Sequence, residues 1–160
     1  MAKKRITSIF LIILSVLWFF VICGFSGENS SASGETSSRV TELVLSVFIR
    51  GFSDLGESEK ADLIAKYNHP VRKLAHFTEY AVLGALLSLV FLCFVQTKKR
   101  FYLFSVTLSF ILASTDEIHQ LFVPGRACRF TDVLIDTSGA AAGILLVLIF
   151  TLLFKKKKAL

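Results

Sequence analysis

Residues 6–25 read ITSIFLIILSVLWFFVICGF, a run of 20 positions without a charge. An α-helix needs about 20 apolar residues to cross a hydrocarbon core, so this stretch reads as a membrane span. Three further stretches fit the same length. Residues 74–95 are interrupted only by His76, Glu79 and neighbouring polar groups near their start. Residues 101–122 are free of charge until Asp116, Glu117, His119 and Gln120. Residues 131–154 are polar at first and apolar after Gly139. With 54% of its 160 residues hydrophobic, the chain has more apolar surface than one soluble core of that length can bury. The sequence therefore predicts an all-α integral membrane protein, one domain over 6–154 with four transmembrane helices.

The formal charge of +6 suggests nucleic acid until its distribution is followed. Lys3 to Arg5, Lys98 to Arg100 and Lys155 to Lys158 hold ten of the 18 basic residues and none of the 12 acidic ones. Placed on one side, these clusters make that side cytoplasmic by the positive-inside rule. Both termini then lie inside, and every carboxylate falls on outer loops or outer helix ends. The basic excess is thus an orientation signal, matched to an anionic inner leaflet, and no nucleic-acid partner is expected. The first span has a basic start like a secretory signal. Its apolar stretch exceeds the roughly 7–15 residues of a signal core, and it is expected to stay as an anchor.

The outer segment, 26–69, has its own pattern. Residues 27–38 are rich in Ser and Gly and read as a loop. Val40, Leu43, Val44, Val47 and Phe48 follow helical spacing, which predicts an amphipathic helix over 39–50 on the membrane surface. Ser58 is expected to cap a short helix reaching Tyr67, burying Leu63 and Ile64. Pro70 suits the first turn of the second span. Cys23 and Cys93 fall at opposite membrane faces and Cys128 in the last outer loop, so no disulfide framework or structural zinc site is expected.

Ionisable groups within membrane helices are costly and usually face a bundle interior or a wet cavity. Lys73, His76 and Glu79 recur every three residues and share a face with Tyr80. Asp116, His119 and Gln120 share a second face, with Glu117 turned about 100° away. Asp132 and Asp136 share a third with Gly139. All lie at outer helix ends and are expected to converge on one outward-open site. His76, Glu79, Asp116 and His119 are the acid–base candidates. Lys73, Tyr80, Glu117, Gln120, Asp132 and Asp136 are ligand-binding candidates, joined by Arg126, whose guanidinium could fork onto a phosphate or carboxylate. The same His and carboxylate types could serve a divalent metal, although their spacing falls short of the HExxH of zinc peptidases. The bland alternative is interfacial anchoring and simple ion pairing, such as Lys73 with Glu79 or Asp132 with Arg129. Gly139 and Gly143 form a GxxxG stripe that serves either dimerisation or close packing within the chain, the second being favoured, with Gly84 a matching contact.

The segments RKLAHFTEYAVLGALL (72–87) and TDEIHQLFVPGRACRFTDVLIDTSGAAAG (115–143) resemble the VanZ-like family of small bacterial membrane proteins. The matching residues are Lys73, His76, Phe77, Glu79 and Tyr80, then Asp116, Glu117, His119 and Gln120, then Pro124, Gly125 and Arg126, then Asp132 and Gly139. Asp136 departs from the pattern, since the family commonly has Asn there, and adds a carboxylate. The resemblance implies a multi-pass protein of the bacterial plasma membrane and a connection with resistance to the glycopeptide teicoplanin. It implies no particular reaction. The reading that follows is an envelope protein whose outward polar site binds, and in an enzymatic version modifies, a lipid-linked or cell-wall ligand. The alternatives are a non-catalytic accessory protein and a small transporter or proton relay. Four helices without an inverted repeat make the last depend on an oligomer, and the sequence leaves the oligomeric state open.

Overall fold

A computed structural model of the chain describes residues 2–95 and 97–157. Among these every regular element is helical: α1 (Ala2–Ser26), α2 (Ser30–Phe48), α3 (Glu57–Phe94), α4 (Lys98–Gln120) and α5 (Phe130–Lys157). A single 3-10 turn, Phe52–Asp54, lies between α2 and α3. Four helices, α1, α3, α4 and α5, are long and apolar enough to cross a membrane. The four expected spans are therefore all present, and the second lies within a much longer helix that begins at Glu57. Lys158, the last member of the basic tail, lies outside the described residues.

Two local expectations are corrected. The Ser/Gly-rich stretch is helical from Ser30 onward, because Asn29 caps it through its side-chain oxygen, which accepts from the Ala32 N–H at 2.9 Å. The helix expected over 39–50 thus starts nine residues earlier. Second, Pro70 does not open a helix. It sits inside α3, which runs unbroken from Glu57 to Phe94. The start of α3 is fixed by the Glu59 carboxylate, which accepts from the Gly56 N–H at 3.1 Å, so the cap lies at Gly56 and not at Ser58. Proline removes one backbone hydrogen bond, here to the Lys66 carbonyl. Both residues are exposed, where solvent can take the missing donor's place. At about 1.5 Å per residue, 38 residues far exceed a bilayer's hydrocarbon thickness. The first turns of α3 therefore stand clear of the spanning part. Leu63 and Ile64 are half-buried there.

α3 packs most extensively on α5. The reason is three glycines on the seam. A Cβ at Gly139 would strike the Phe77 backbone, one at Gly143 the Ala81 carbonyl, and one at Gly84 the Ala140 backbone. The GxxxG stripe is thus used inside the chain, with Gly84 as its counterpart, and lets two backbones touch. The contacts pair 77 with 139 and 81 with 143, so α3 and α5 run parallel. Trp18 of α1 donates to the Glu79 carbonyl of α3 at 2.9 Å. Ser26 at the end of α1 meets Asp116 near the end of α4, so α1 and α4 also run together. Ile22, Tyr80, Leu83, Leu87, Ala113, Val133 and Ala140 form the core between them. Buried serines on α4 do not burden it, because Ser105 and Ser109 return their hydroxyls to the carbonyls four residues back. Most remaining apolar side chains, such as Phe20, Phe104 and Leu146, face outward, as lipid-contacting positions should.

Candidate functional site

The end of the bundle that carries α2 and the α4–α5 turn gathers the chain's polar groups. Because α3 continues back through Pro70, His69, Arg72, Lys73 and His76 stand at i, i+3, i+4 and i+7, one face of one helix. Lys73 reaches across to α5, where its Nζ lies 2.5 Å from the Asp132 carboxylate, with both side chains about one-fifth exposed. One turn further in, the His76 Nδ1 lies 3.6 Å from Glu79 Oε2. That is too far for a hydrogen bond, and the nitrogen is buried without another partner.

α4 contributes a different face from the one expected. Asp116, Glu117 and Gln120 are buried, at 1%, 2% and 4% exposure, whereas His119 is exposed and lies beside Gly27 at the end of α1. Positions i, i+1 and i+4 form a face as readily as i, i+3 and i+4, and packing selects the first. Glu117, expected to turn away, accepts from the Arg129 N–H at 2.9 Å and so ties the loop to α4. Asp116 accepts from the Ser26 hydroxyl at 2.7 Å. Its second oxygen is buried without a hydrogen bond, as are Tyr80 Oη and Asp136 Oδ1.

Arg126 closes the site from above. The preceding Gly125 has φ 76°, a left-handed turn conformation suited to glycine, and it presses on Ser30 at the start of α2. The guanidinium donates through Nε to the Glu28 carbonyl (3.1 Å) and through Nη2 to Ser33 Oγ (2.8 Å) and the Phe25 carbonyl (3.4 Å). Nη1 is buried with no partner.

Two cavities meet at this guanidinium. One, of about 230 Å³, is lined by His69, Arg72, Lys73, Arg126 and Arg129, with Gln120 and a single carboxylate, Asp132. The other, of about 140 Å³, lies between α2 and α3 and is lined by Phe25, Val40, Val71 and Ala75 together with His76 and Glu79. Arg72 and Arg126 line both. The structure therefore divides the expected single pocket. His76 and Glu79 share one cavity, Lys73, Gln120 and Asp132 share its neighbour, and Asp116, Glu117, Tyr80 and Asp136 lie buried in the helical end below. His119 lines neither. Among the described residues no group of three or more His, Cys, Asp or Glu side chains is placed to hold a metal ion.

Sequence reasoning passed over His69 and Arg72. Their spacing to Lys73 and His76 was the available signal, masked by taking Pro70 as a helix start. Ser33 carries none, since it is one of several serines in a stretch that reads as a loop.

The fold and this polar end define a multi-pass helical membrane protein with an ionisable cluster at one mouth of the bundle. The family model VanZ/LLP1 matches residues 10–151, nearly the whole chain, and the protein belongs to that family. No curated protein and no solved structure matches the chain.

Proposed function

We propose that the protein is a cell-envelope membrane protein that holds the anionic group of a lipid-linked or cell-wall ligand in the cation-lined cavity, on the outer face of the plasma membrane. One observation carries the reading: four permanent cations and His69 line a cavity of about 230 Å³ against one carboxylate already matched to Lys73. Cations gathered around one half-enclosed cavity repel one another until an anion enters, and an arginine fork suits phosphate or carboxylate. Membership of the VanZ family supports a setting in glycopeptide resistance.

The test uses purified protein in phosphate-free dodecyl maltoside micelles, titrated with inorganic phosphate and followed through Trp18, the chain's single tryptophan. Saturable binding is expected, weakened at least tenfold in Arg72→Ala. Absence of binding, or an unchanged affinity in Arg72→Ala, overturns the reading.

A catalytic version is favoured by the His76–Glu79 pair, where an unpartnered imidazole nitrogen faces a carboxylate beside the anion cavity. There His76 would move a proton and Glu79 would orient the ring. Glu79→Gln should then abolish teicoplanin tolerance in expressing cells at normal protein level, while His119→Ala should keep it. Full tolerance in Glu79→Gln leaves a binding protein without this chemistry.

A further inference from the structure

We infer that the ligand is an amphiphile, a phosphate on a hydrocarbon chain, seated with the phosphate among Arg72, Lys73, Arg126 and Arg129 and the first methylenes among Phe25, Val40, Val71 and Ala75. This rests on the anion-binding reading above and specifies its ligand class.

The argument is the pairing of unlike cavities. The cation-lined cavity alone would suit any small anion. Its neighbour presents mainly apolar surface, from Phe25, Val40, Val71, Ala75 and the stems of its polar residues, and shares Arg72 and Arg126 with it. A soluble anion has nothing to place there. Arg126 lines both cavities, so a phosphate held by its guanidinium has the apolar cavity beside it. The apolar cavity is built from the last turn of α1, the middle of α2 and the stretch of α3 just above its core contacts. Two of its walls therefore belong to span helices, the side from which a hydrocarbon chain would arrive. The volume of about 140 Å³ holds only the first few methylenes of a chain, taking each at roughly the 30 Å³ share of a water molecule. The rest of the chain stays in the bilayer. Each carboxylate has a neighbour: Asp132 in the cation cavity is held by Lys73, and in the apolar cavity Glu28 accepts from Thr36 at 3.4 Å and Glu79 lies 3.6 Å from His76.

The test compares inorganic phosphate with hexyl phosphate on the intact protein in phosphate-free dodecyl maltoside micelles, with empty micelles as the blank for partitioning. Each methylene withdrawn from water is worth about fourfold in affinity. Hexyl phosphate should therefore bind at least tenfold more tightly than phosphate. Filling the apolar cavity with Ala75→Phe should bring the ratio of the two affinities toward one, and Val40→Phe, on the opposite wall, should do the same. Equal affinities in the wild-type protein, or a ratio that survives both filled variants, overturn the amphiphile while leaving an anion site. Failure of both probes to bind overturns the anion reading itself.

Discussion

Asp116 sits at 1% exposure near the end of a spanning helix, and only one of its oxygens is hydrogen-bonded, to the Ser26 hydroxyl at 2.7 Å. A buried acceptor stripped of its donor costs about 1–3 kcal/mol. Ser26→Ala is therefore expected to lower stability by about that amount, read as an earlier thermal transition in detergent. Ser26→Thr, which keeps the hydroxyl, should restore part of it. An unchanged transition in Ser26→Ala would mean that the α1–α4 contact contributes nothing to the bundle. The Lys73–Asp132 pair poses a different question. Its carboxylate competes with any anion for the same ammonium group. Asp132→Asn removes the competitor, so phosphate affinity should rise severalfold while stability falls by about 1–3 kcal/mol as Lys73 loses its partner. A weaker phosphate affinity in Asp132→Asn would show that Asp132 positions Lys73 for the anion.

Among the elements, α3 and α5 set the frame on which the site is built. Their backbones meet at Gly84, Gly139 and Gly143, and a side chain at Gly143 would have to occupy the space of the Ala81 carbonyl. Backbone in a packed helix cannot yield as a flexible side chain can, and overpacking costs about 1–3 kcal/mol or more. Gly143→Leu is expected to remove most of the folded protein from detergent extracts, and Gly143→Ala to lower the thermal transition clearly. Survival of Gly143→Leu at wild-type stability would refute the tight seam. This seam was legible in the sequence, because small residues at i and i+4 in an apolar helix have few other uses. So were the four spans, which follow from hydropathy alone. The site was legible in its carboxylates and in His76, since charge within a span stands out. Its cationic half was not. Proline usually marks a helix start or a break, and only packing showed α3 passing through Pro70, which brings His69 and Arg72 onto the face of Lys73. His119 failed for the opposite reason. Two helical faces of α4 fit the sequence equally, and the choice between them belongs to the neighbours of α4, not to α4 itself.

At the scale of the whole molecule, charge and geometry agree on a direction. Ten basic residues lie in the three clusters at the N-terminus, the α3–α4 junction and the C-terminus, while all 12 carboxylates lie elsewhere. The parallel pairs, α1 with α4 and α3 with α5, bring α2, the α4–α5 turn and the polar mouth to the other end of the bundle. By the positive-inside rule this mouth is expected to face outward. α2 is consistent with that placement. Leu43, Val47 and Phe48 are exposed, whereas Ser33, Thr41 and Leu45 face the bundle, so its free apolar side suits the outer headgroup boundary. Cys128 follows Arg126 in the exposed turn at the mouth, and Thr97 is exposed at the α3–α4 junction. In intact cells, a variant with Cys128 as its only cysteine should react with a membrane-impermeant maleimide. One with its only cysteine introduced by Thr97→Cys should react after permeabilisation alone. The reversed pattern would turn the cation-lined cavity toward the cytoplasm. An outer-face ligand would then be ruled out, whatever the cavity's affinity for phosphate, because its Arg and Lys side chains could meet only inner-leaflet or cytoplasmic anions.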